Sequence, residues 1–92
     1  MHTIYKYEIE VGDVQIINMP KDAKILCVQT QHGTPCLWAQ VNTENENEKR
    51  TIEIFGTGHR MSYDMGIDRE YIGTFQMSEG ILVFHVYEYT GI

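Results

Sequence analysis

The chain has 92 residues, 42% of them apolar, which is enough for one compact core and too few for a second. Seven basic against thirteen acidic side chains give a formal charge of −6, which opposes DNA or RNA binding, where affinity comes largely from Lys and Arg against phosphates. No stretch approaches the roughly 20 consecutive apolar residues of a membrane helix, so no membrane partner is expected.

The elements read in chain order as short β-strands covering a single domain, residues 1–92. The opening MHTIYKYEIE carries charges and lacks the apolar segment of a signal peptide, so a cytoplasmic location is expected. A first strand over 3–9 places Tyr5, Tyr7 and Ile9 on one face, VGD at 11–13 turns the chain, and a second strand runs over 14–19. Pro20 breaks it, and ILCVQTQ at 25–31 follows, with apolar residues at both parities from Ile25 to Val28, the pattern of a central strand covered on both faces. QHGTP then closes a hairpin onto a strand over 36–41 that carries Trp38. Cys27 and Cys36 flank this turn and read as two free thiols in a reducing compartment.

NTENENEK at 42–49 has nothing to bury and lacks the ligand order of a calcium loop, so it reads as a solvated connection. RTIEIF resumes a strand with Ile52 and Ile54 inward, and the irregular segment GTGHRMSYDMGID follows. EYIGTFQM, SEG and ILVFHVYEY then form a hairpin. About seven short strands imply an all-β fold, a small antiparallel sandwich or partly open barrel. Unpaired edges on so small a sheet favour self-association, and a homo-oligomer is expected.

No complete reaction centre is spelled out. His2, His32, His59 and His85 are scattered, and the cysteines form no Cys-x-x-Cys pair, so no metal and no cofactor are expected. Ser62 and Ser78 lie in turns without a Gly-x-Ser-x-Gly elbow, which argues against nucleophilic catalysis. His85, in VFHVYE, reads as a packed strand histidine, and Arg50 and Arg69 as solvated residues at strand starts.

FGTGHR, residues 55–60, is the segment with ligand chemistry. Gly56 and Gly58 free the backbone to present N–H groups to an anion, Thr57 adds a hydroxyl, and His59 and Arg60 add donors or positive charge. The same residues also fit a plain strand exit, with Gly56 in a bulge, Gly58 in a turn, and His59 and Arg60 facing solvent. Trp38 and Tyr63 offer faces on which a base could stack, although a Trp in a hairpin is more often a core residue.

IYKYEIE, MPKDAKILCVQTQHGTPCLWAQV, IEIFGTGH and YIGTFQ with LVFHVYE together resemble a family of short phage and prophage proteins, over nearly the whole chain. The resemblance brings no catalytic motif with it, and implies a cytoplasmic protein of a bacterial host. Phages also carry small cytosolic proteins of this size that counter bacterial immunity, and by analogy of size and source one class acts as sponges, which hold cyclic nucleotide or ADP-ribose-type immune signals without cleaving them. The expectation is therefore a binding module and not an enzyme. Its ligand would be a small anionic nucleotide-type molecule held by Gly56, Thr57, Gly58, His59 and Arg60, with Trp38 or Tyr63 stacking on the base. The alternative is a structural or interaction module that blocks a host protein through an acidic, tyrosine-rich surface.

Overall fold

A computed structural model describes residues 1–61 and 67–91. Seven strands are present: β1 (His2–Glu8), β2 (Val14–Pro20), β3 (Lys24–Gln31), β4 (Thr34–Asn42), β5 (Asn47–Gly56), β6 (Asp68–Met77) and β7 (Leu82–Gly91). They form two antiparallel sheets, β1-β4-β3 and β2-β5-β7-β6. The sheets pack face to face as a small open sandwich, in agreement with the all-β expectation.

Alternation decides which side of each strand is buried. Leu37, Ala39 and Val41 point inward from β4, Ile52 and Ile54 from β5, and Phe75 and Val86 from β6 and β7. One cluster joins Leu37 and Val28 to Ile52, Ile54, Phe75 and Val86, and a second joins Met19 and Ala23 to Ala39 and Val41. Tyr7, Ile17 and Ile25 pack against both clusters, so the interior is continuous. Each fully buried aliphatic side chain in it contributes about 1.5–3 kcal/mol.

The β3–β4 hairpin turns through His32 and Gly33, with φ of 50° and 79°, the positive pair that a two-residue turn of this twist requires. Its register sets Cys27 opposite Trp38 and Cys36 opposite Gln29, so the cysteines are offset, and both are free. The β6–β7 hairpin closes through a short 3-10 turn at Ser78–Gly80.

The expected central place of β3 is overturned, and residues 47–49 of the expected connection begin β5. β3 lies at an edge of its sheet, and β4 is central. The apolar residues at both parities of β3 come from a β-bulge between Ile25 and Cys27, where the extra residue Leu26 reverses the alternation. The free edge of β3 lies against β6, and a Cβ on Gly73 would come within 2.8 Å of the Val28 side chain, so only glycine permits this approach.

Candidate functional site

The loop after β5 is built by its glycines. The His59 amide donates to the Gly56 carbonyl at 2.9 Å, closing a turn in which Gly58 takes φ 84°. The His59 ring folds back over buried Gly56, where a Cβ would lie 2.7 Å from ring atoms. The Thr57 amide donates to the Val83 carbonyl at 3.1 Å, carrying the β5–β7 ladder one step into the loop. Two of the amides that an anion nest would use are thus bonded within the chain.

His59 separates two shallow depressions. One, of about 310 Å³, runs between Gly56, Thr57 and His59 on one side and Ile81 to Phe84 on the other. The second, of about 260 Å³, is bordered by Asp13, Val14, Glu53, Ile54, Phe55, His59 and Arg60. Arg60 is exposed at its rim, on a depression that Asp13 and Glu53 also border. Trp38 lines neither depression: it stands half-buried on the outward face of the other sheet, alternating with inward Leu37 and Ala39. Tyr63 lies outside the described residues.

The loop connects instead to the outward face of the four-stranded sheet. Thr57 Oγ1 lies 2.7 Å from His85 Nε2, and His85 Nδ1 lies 3.0 Å from Thr74 Oγ1, which also bonds the Tyr71 hydroxyl. Thr57 Oγ1 is 3.4 Å from the Val83 carbonyl, a pure acceptor. That acceptor orders the chain of donors. Tyr71 O–H donates to Thr74, Thr74 O–H to Nδ1, Nε2–H to Thr57, and Thr57 O–H to Val83. With a neutral ring, this order corresponds to the Nε2–H tautomer of His85, and every donor in the chain has an acceptor.

Tyr71 packs edge-on against Tyr87 at 5.3 Å between ring centroids, and Tyr87 against Phe55 at 5.9 Å. The Arg69 guanidinium stands over the Phe55 ring at 5.4 Å. Arg69 Nε also donates to Glu53 Oε1 at 2.7 Å, reaching across β7 from one strand to the next but one. Hydrogen bonding to Glu53 raises the Arg69 pKa further above its ordinary value. Arg69 is therefore an ion-paired residue and not the solvated one expected from its place at a strand start.

Arg50 departs from expectation in the same way. On the inward face it makes a bidentate pair with Glu88, through Nε to Oε2 and through Nη2 to Oε1 at 2.9 Å, and Nη1 donates to the Ala23 carbonyl at 2.8 Å. The Glu88 hydrogen bonds raise the Arg50 pKa against the opposing effect of burial. Among the described residues no three His, Cys, Asp or Glu side chains converge as a metal site, and no helix is long and apolar enough to cross a membrane.

Sequence reasoning singled out Thr57 but missed its partners His85, Thr74 and Tyr71. The parity shared by Val83, His85 and Tyr87 was a usable signal for one face of β7. Tyr71 and Thr74, three residues apart, share that face only because β6 is bulged between Tyr71 and Gly73.

A family model described as "Domain of unknown function (DUF7352)" matches residues 1–91. The chain belongs to the DUF7352 family. Curated proteins and solved structures give no match to this DUF7352 chain.

Proposed function

We propose that the chain is a non-catalytic binding module that engages a protein partner through the outward face of its four-stranded sheet. The observation that carries this reading is the pre-ordering of that face. The hydroxyls of Tyr71, Thr74 and Thr57 and the His85 ring bond one another, which holds Tyr71 at the end of the aromatic row it forms with Tyr87 and Phe55, at little further entropic cost on binding. Tyr71 and Tyr87 line neither depression beside the loop, and Tyr71 is 58% exposed, a form suited to a protein surface more than to an enclosed small molecule. The charge of −6 favours a partner with a basic surface. The resemblance to phage and prophage proteins supports a partner from a bacterial host.

A photo-crosslinking residue placed at Tyr71, in cells producing the protein, tests this. Discrete adducts with one basic protein are expected, while the same residue at Gln40, on the other sheet, gives none. Equal labelling from both positions, or none from Tyr71, counts against the reading.

A second reading, the sponge, is favoured by one observation: His59, Arg60 and the Thr57 hydroxyl stand together at the rims of the two depressions. Incubation with cyclic dinucleotides and ADP-ribose derivatives, followed by heating, separates the readings. Depletion with release of intact ligand, abolished by His59→Ala and Arg60→Ala, supports the sponge. Altered ligand indicates an enzyme.

A further inference from the structure

Hydrogen bonds at the two ends of β2 fix the direction in which each of its residues points. The Ile54 amide donates to the Asp13 carbonyl and the Lys21 amide to the Glu46 carbonyl, so the odd-numbered residues of β2 direct their backbone groups toward β5. The backbone groups of Val14, Ile16 and Asn18 therefore point away from β5, and no strand pairs with them among the described residues. The side chains of Val14 and Ile16 are 61% and 60% exposed.

Exposed strand edges are ordinarily blunted by charge, proline or a covering element. The edges of β3 and β6 lie against each other, and β1 carries Lys6 and Glu8. β2 reads VQIINMP and has no charged residue from Val14 to Pro20, in a chain of net charge −6. We propose that β2 pairs with β2 of a second copy of this chain, antiparallel about a two-fold axis through Ile16.

The sequence of this edge complements itself. Ile16 faces Ile16, and Val14 faces Asn18, each pair exchanging both N–H···O bonds, with no charge brought against a like charge. Pro20, which has no N–H, ends the pairing at one side and Gly12 marks its limit at the other. A strand from a different protein would meet the same backbone groups. The absence of charge selects for a second copy, because two acidic chains can approach closely only along a neutral seam. Pairing joins the two four-stranded sheets into one and doubles the outward aromatic face. It also seats the second copy beside Val14, at the border of the depression that holds His59 and Arg60.

The test is the solution mass of the full chain by light scattering, together with amide exchange. A particle of twice 10.7 kDa is expected at about 20 μM, a concentration at which stable specific dimers persist. The amides of Val14, Ile16 and Asn18 should become protected as concentration rises. Ile16→Lys, at an exposed position, should keep the folded circular dichroism spectrum and weaken the dimer about a hundredfold. Ile4→Lys, similarly exposed on the charged β1 edge, should leave it intact. Because the seam is neutral and the chains repel, raising salt from about 0.05 M to about 0.5 M should tighten the dimer. A monomer up to about 1 mM overturns the proposal. So does a dimer that survives Ile16→Lys, dissociates with Ile4→Lys, or leaves the three amides unprotected. A monomer with Val14, Ile16 and Asn18 amides protected only in lysate assigns the edge to a foreign strand.

Discussion

The four-stranded sheet carries an Arg–Glu pair on each face, and the two pairs teach different things. Arg50 and Glu88 lie inward, with side-chain exposures of 16% and 11%; Arg69 and Glu53 lie outward, yet are exposed by only 11% and 13%. The inward pair is held by a third bond to the Ala23 carbonyl at the margin of the core. The outward pair reaches across β7 among Phe55, Tyr87 and Tyr89, and takes its shelter from rings that solvent would otherwise surround. That shelter accompanies the hydrogen-bonded order of Tyr71, Thr74, His85 and Thr57, on which the binding assignment rests.

Arg50→Met should be the most damaging change. It leaves the Glu88 carboxylate buried without its partner and should cost about 3 kcal/mol. In urea unfolding the midpoint should fall by more than about 1 M. Adding Glu88→Leu should recover most of the loss, since an apolar pair replaces a charge pair that had to be desolvated. Arg69→Met should cost less, about 1–2 kcal/mol, because Glu53 can turn toward water on the outward face. Equal losses at the two positions would make the faces equivalent and remove the contrast.

A smaller effect concerns the interior margin. Burial, with a lesser contribution from Tyr5, raises the Tyr7 pKa above its ordinary value. A group raised in the folded state binds its proton more tightly there than when unfolded. Its contribution is whole below the unfolded value of about 10 and is lost as pH climbs through the raised one. The urea midpoint should therefore drop on going from about pH 9 to about pH 11, and Tyr7→Phe should flatten that slope.

Much of the fold was legible because alternation and turn residues are local. Ile52 and Ile54 read inward from RTIEIF, and QHGTP and SEG marked their hairpins. What was misread depended on register. The bulge at Leu26 made the edge strand β3 look central, and the bulge in β6 put Tyr71 and Thr74 on one face against simple alternation. Arg50 and Arg69 looked solvated because their carboxylates, Glu88 and Glu53, are 38 and 16 residues away and meet them only once β7 is laid between β5 and β6. At the site, the glycines of FGTGHR revealed a special backbone, but only the sheet showed that Thr57 is tied to His85 and that the Thr57 and His59 amides are already bonded.

The outward face is ordered before any partner arrives, by a hydrogen-bonded chain running from Tyr71 to the Val83 carbonyl. The nitrogen chemical shifts of the His85 ring in the free protein test it most directly. At alkaline pH, where an imidazole is neutral, a single Nε2–H tautomer, converted to a mixture by Thr74→Val, is the result this structure predicts. An Nδ1–H tautomer, or a ring averaging between the two in the wild-type protein, would contradict it.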